Sequence, residues 1–273
     1  VLFASASLEG RAAELIDGRG ASAGAPTVAL IVTTPGYAPR AYEGLVAALE
    51  DRGVDAWLLV FSIQDQRLDG IVGHTIPEAL SRFAGRDVGL VGHGIGGTLA
   101  ALSLQDPLNE LDPAAVALLG APLWLPPSPL LAWLAARPPA PAGLDLRTLD
   151  ARWAGHEALP LLLGAPLPPL EAVSGTLLEG LRAWAVEGLA VDLSSAFCPI
   201  WAGVGDHDNL GPPEAVRGRL PDRATFVRFG YLRGDPRDYD SAALLARPRP
   251  AAALAAWLRH ALHPRAPRTG APP

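Results

Sequence analysis

The sequence predicts an α/β protein built on a mostly parallel twisted sheet with helices on both faces. Three observations carry that expectation: apolar runs alternate with amphipathic segments, some apolar runs are continuous as in strands covered on both faces, and Gly and Pro punctuate the junctions. Residues 27–34 (TVALIVTT) read as a buried strand, followed by an amphipathic helix over 40–53 (RAYEGLVAALEDRG) that Gly53 ends. Residues 54–61 (VDAWLLVF) read as the next strand. A helix follows over 76–85 (IPEALSRFAG), with Pro77 near its first turn, where a missing N–H costs little. Residues 87–92 (DVGLVG) form a strand, 96–105 (GGTLAALSLQ) a helix and 114–120 (AAVALLG) another strand.

From Ala121 this rhythm breaks, and it resumes at 199–205 (PIWAGVG). The intervening segment is rich in Pro, Leu, Ala and Trp, holds Trp124, Trp133, Trp153 and Trp184, and has helical apolar spacing over 177–193. It reads as an inserted helical cap. The closing units are a helix over 212–220, a strand over 224–230 and a helix over 250–262. The expected division is a core of 1–120 and 197–263, a cap of 121–196, and a Pro-rich flexible tail of 264–273.

The 273 residues are 49% hydrophobic and 18% charged, enough for a substantial core in one large domain. A formal net charge of -6 supplies no basic field, so nucleic acid is not an expected partner. Residues 241–273 do carry five Arg and no acid, which reads as a solvated basic end. All basic residues are Arg, a compositional habit without functional content. The single cysteine, Cys198, excludes an intramolecular disulfide and a multi-cysteine metal site. The longest uncharged stretch, 113–136, contains five prolines, so no transmembrane segment is expected. The expected compartment is the cytoplasm; the alternative is export, because Ala4, Ser5 and Ala6 resemble the small-residue end of a removed signal segment.

The stretch VGLVGHGIGGTLA at 88–100 carries two motifs at once. Gly92, Gly94 and Gly97 spell G-x-G-x-x-G at a strand-to-helix junction, the pattern of a dinucleotide loop. That site needs an acid about 20 residues on, at the end of the next strand. Gly120, Ala121 and Pro122 stand there, while Glu110 and Asp112 precede the strand, so no cofactor is expected. The same letters fit G-x-S-x-G, a nucleophile elbow, with Gly94 where serine would stand.

Two further stretches agree with the second motif. Residues 199–230 (PIWAGVGDHDNLGPPEAVRGRLPDRATFVRFG) and 29–59 (ALIVTTPGYAPRAYEGLVAALEDRGVDAWLL) resemble the acid loop and the oxyanion strand and loop of the α/β-hydrolase superfamily. GHGIGGTLAAL resembles the lipase and polyhydroxyalkanoate-synthase-like members. The resemblance implies the α/β-hydrolase fold, maps the triad acid onto Asp208, and assigns the oxyanion-hole amides to Tyr37 and Ile95. It also exposes two departures. Gly94 has no side chain to attack a carbonyl, and DYDSAALL at 238–245 places Ser241 where the histidine belongs. A glycine at the elbow relieves the strain of positive φ, so the turn survives the loss.

Asp208 also has a structural reading, as a loop carboxylate capping the helix at PPEAV. Asp206 and Asp208 flank His207, but two carboxylates and one imidazole make a poor metal set, so no metal is expected. His74 and His156 are isolated. With Gly94, Asp208 and Ser241 as a degenerate triad, the expectation is a catalytically inactive protein. It would be retained for scaffolding a protein partner or homo-oligomer through the Trp- and Leu-rich cap, or for binding a small hydrophobic ligand. The alternative is an active ester or thioester hydrolase or acyltransferase whose working residues have moved, for example to Ser241, Asp208 or Cys198.

Overall fold

The structure, a computed structural model, describes residues 4–7, 13–18, 26–35, 37–61, 67–106, 109, 111–125, 144–145, 172–173, 183–184, 187–206, 208, 211–230 and 241–262. Its centre is an eight-stranded sheet. The strands are β1 (Ala4–Ser7), β2 (Ala13–Asp17), β3 (Thr27–Val32), β4 (Asp55–Phe61), β5 (Asp87–His93), β6 (Ala115–Leu119), β11 (Ile200–Gly205) and β12 (Thr225–Phe229), in the order β1-β2-β4-β3-β5-β6-β11-β12. From β4 onward every pairing is parallel, while β2 runs antiparallel to both β1 and β4. Strands β3, β6 and β11 are buried along their whole length, which is why they read as continuous apolar runs.

The sheet is covered on two sides. On one lie α1 (Glu43–Glu50), α6 (Ser241–Ala246) and α7 (Pro248–Leu262), which pack on one another; on the other, α4 (Gly94–Gln105) packs with α3 (Ile76–Ser81). Strand β5 displays the alternation directly. A Cβ at Gly89 would run into Leu258 of α7, whereas one at Gly92, an odd number of residues on, would run into the backbone of Gly97 in α4.

The structure departs from the sequence reading at two places. The pair β1–β2 extends the sheet at an edge where the sequence reading placed no strand. Pro77 does not open a helix: a helical run begins at α2 (Leu68–Gly70), passes through a π turn over Ile71–Thr75 and continues into α3. A proline in a helix interior removes one hydrogen bond and clashes with the carbonyl four residues back, and the wider turn just before Pro77 accommodates it. Between 121 and 196 the described residues include two antiparallel strand pairs. These are β7 (Trp124–Leu125) with β10 (Leu189–Ala190), and β8 (Leu144–Asp145) with β9 (Ala172–Val173); helical residues there are 183, 184 and 187. Most of that segment, and the tail of 264–273, lie outside the described residues. Among the described residues, no helix is long and apolar enough to cross a membrane.

Candidate active site

Parallel strands β3, β5 and β11 all end at one edge of the sheet, and the expected site residues follow those ends. At the end of β5 the chain turns sharply into α4 at Gly94, whose φ is +52°. That left-handed conformation is costly for a residue with a Cβ and easy for glycine. The neighbouring glycines make the turn a steric fit. A Cβ at Gly96 would strike the carbonyl oxygens of Val32 and Thr33, and one at Gly97 would strike the Ala121 methyl. The G-x-G-x-x-G spacing therefore serves the close approach of α4 to the sheet. Thr98, buried in the same helix, donates to the Pro122 carbonyl at 2.7 Å and ties α4 to the chain beyond β6.

Ile95 lies in the first turn of α4, where amides have no intrahelical acceptor, and its side chain is buried. The Tyr37 amide, the other expected oxyanion donor, donates to the Thr34 carbonyl at 3.1 Å and closes the loop that follows β3. The Tyr37 ring is buried against His93, with centroids 5.5 Å apart.

Asp208 follows β11 and is 4% exposed. Its amide donates to the Gly205 carbonyl at 3.2 Å, and its Oδ1 accepts the Gly211 amide at 3.0 Å. The structural reading of Asp208 as a helix cap is corrected accordingly. The next helix, α5 (Pro213–Arg217), has Pro212 at its N-cap with no side-chain cap, and the carboxylate braces its own loop. Beside it, Asp206 accepts Arg228 Nε at 2.8 Å, and Arg228 Nη1 donates to Glu214 at 3.0 Å. His207 lies outside the described residues.

Ser241 opens α6, and α6 packs on β6, β11 and the 3-10 turn Pro39–Tyr42. Cys198 is elsewhere. It precedes β11, so it stands at the sheet edge opposite Gly94, where burial pushes its thiol up and disfavours the nucleophilic thiolate.

Sequence reasoning missed one polar cluster beneath the elbow. His93, the last residue of β5, is fully buried, and its Nδ1 lies 3.1 Å from both the Thr34 hydroxyl and the Tyr42 hydroxyl. Thr34 donates its hydroxyl to the His93 carbonyl at 2.7 Å and its amide to Tyr42 Oη at 2.7 Å. Burial, partly offset by the Thr34 hydrogen bonds, holds the Tyr42 phenol above its ordinary range, so it is protonated. No short motif announces this group, because its members are brought together only by the pairing of β3 with β5.

This arrangement is the α/β-hydrolase fold: parallel strands flanked by helices, a left-handed elbow after the central strand, and a carboxylate beyond a later one. Solved structures agree. A thermophilic esterase from Thermogutta terrifontis matches with a TM-score of 0.61 at 16% identity, over 96% of this chain and 100% of its own. The monoacylglycerol lipase of Paleococcus ferrophilus matches with a TM-score of 0.55 at 18% identity, over 86% and 94%. A soluble variant of the monoglyceride lipase of Saccharomyces cerevisiae matches with a TM-score of 0.57 at 13% identity, over 95% of each chain. No protein-family model matches the chain, and comparison with curated proteins finds no relative. The expectation that the chain is not an enzyme is corrected by these neighbours. Each of the three is an esterase or lipase, and what each shares with this chain, over nearly its whole length, is the fold.

Proposed function

We propose that the chain is a hydrolase of ester or thioester carbonyls that works without a nucleophile on the elbow. The observation that carries this reading is the junction at Gly94, which keeps its left-handed turn and places the first amides of α4 at the edge where Asp208 stands. The substrate carbonyl oxygen takes the Ile95 amide, and the Tyr37 amide joins it by exchanging its Thr34 acceptor for the substrate. Water attacks the carbonyl carbon in the space a nucleophile's side chain would fill. Asp208 takes the water proton, then delivers it to the alkoxide oxygen or thiolate sulfur whose bond to the carbonyl carbon breaks when the tetrahedral intermediate collapses, releasing alcohol or thiol. The Leu- and Trp-rich composition of 121–196, read as a cap, supports an apolar acyl group.

The test is turnover of a panel of p-nitrophenyl esters and acyl thioesters. Asp208→Asn keeps the oxygen that accepts the Gly211 amide but removes the base, and is expected to lower kcat/KM by about a thousandfold with the fold intact. A folded chain that turns over no member of the panel refutes the proposal. Stoichiometric fluorophosphonate labelling that disappears in Ser241→Ala would instead transfer the attack from water to Ser241.

A further inference from the structure

We propose that His93, with Tyr42 and Thr34, is a clasp that holds the loop after β3 against the elbow and so sets the spacing of the two oxyanion amides. The inference rests on the proposed hydrolase reading for its catalytic consequence, while its geometry stands independently.

The clasp is a closed ring of hydrogen bonds. Thr34 has one hydroxyl proton, and the His93 carbonyl takes it at 2.7 Å. The Thr34 amide lies beyond the end of β3, and Tyr42 Oη accepts it at 2.7 Å. Nδ1 of His93 lies within hydrogen-bond distance of both hydroxyls, 3.1 Å from Tyr42 Oη and 3.1 Å from Thr34 Oγ1. One imidazole nitrogen fixes a tyrosine from the 3-10 turn Pro39–Tyr42, that tyrosine fixes the Thr34 amide, and Thr34 returns to the backbone of His93. The rings reinforce this, since His93 meets Tyr42 edge-on at 5.6 Å and Tyr37 at 5.5 Å. Both ends of the clasp adjoin the reacting region. His93 is bonded to Gly94, and the Thr34 carbonyl holds the Tyr37 amide. The cluster is buried, with Thr34 2% and His93 0% exposed, so its role is positioning and not contact with substrate.

The variants separate positioning from packing. Tyr42→Phe removes only the hydroxyl, His93→Leu removes the ring nitrogen, and His93→Asn keeps a hydrogen-bonding side-chain atom near the place of Nδ1. Amide exchange followed by NMR in the full chain is expected to be about tenfold faster at Thr34 and Tyr37 in Tyr42→Phe and His93→Leu, with Ile31 in β3 unchanged. His93→Asn is expected to restore most of the protection. In the same proteins kcat falls by about tenfold with KM held, because misplaced oxyanion donors weaken the transition state more than the ground state. Should His93→Leu fail to fold, Tyr42→Phe carries the test by itself. Folded Tyr42→Phe with unchanged exchange at Thr34 and Tyr37 overturns the clasp. A wild-type chain without turnover refutes the hydrolase reading, and the exchange measurement then decides the clasp alone.

Discussion

The elbow at Gly94 and the acid loop at Asp208 lie at one edge of the sheet but are held by different forces. The elbow is fixed by close approach of backbone to backbone: Gly92 against Gly97, Gly96 against the carbonyls of Val32 and Thr33. The acid loop is fixed by polar side chains, namely Asp208 on the Gly211 amide and the Arg228 contacts with Asp206 and Glu214. A turn held by backbone packing keeps its shape without a side chain at position 94. A loop held by a carboxylate cannot lose the carboxylate on the same terms.

The comparison can be broken most severely at the elbow. Gly96→Ala places a methyl against two backbone oxygens that cannot rotate away, and it is expected to cost about 3 kcal/mol in urea unfolding. Loss of less than about 1 kcal/mol would mean that α4 tolerates displacement from the sheet. A smaller effect is expected at Gly94 itself. Gly94→Ala, at φ +52°, should cost about 1 kcal/mol, the price of the left-handed conformation alone. The smallest effect belongs to the acid loop's outer contacts. Arg228→Ala removes ion pairs whose members are 45% (Arg228), 16% (Asp206) and 77% (Glu214) exposed, and should shift stability by about 0.5 kcal/mol or less, vanishing in high salt. A salt-independent loss there would show that Arg228 braces the loop through packing.

The regular part of the fold was legible because its central strands bury both faces and helices α1 and α7 each bury one apolar stripe. Strands β3, β4, β5, β6, β11 and β12 fall within about two residues of their expected bounds. Pro77 misled because proline at a helix start and proline after a π turn look alike in one dimension. The pair β1–β2 was missed because β1 (ASAS) has no large apolar residue and β2 (AELID) is short and interrupted by Glu14 and Asp17. At the site, the sharp turn at Gly94 was legible from its glycine spacing. The engagement of the Tyr37 amide by Thr34 was not, since backbone hydrogen bonds leave no mark on residue type.

By itself the sequence determined the α/β alternation, the absence of a side chain at position 94 and the carboxylate at 208. These depend on residue identity and on periodicity within a few turns of chain. Only the tertiary structure decided that Cys198 lies at the far edge of the sheet, that Asp208 braces its own loop, and that His93 meets Thr34 and Tyr42 across 59 and 51 residues of chain. Those contacts depend on strand order and direction, which bring together residues that no local pattern connects.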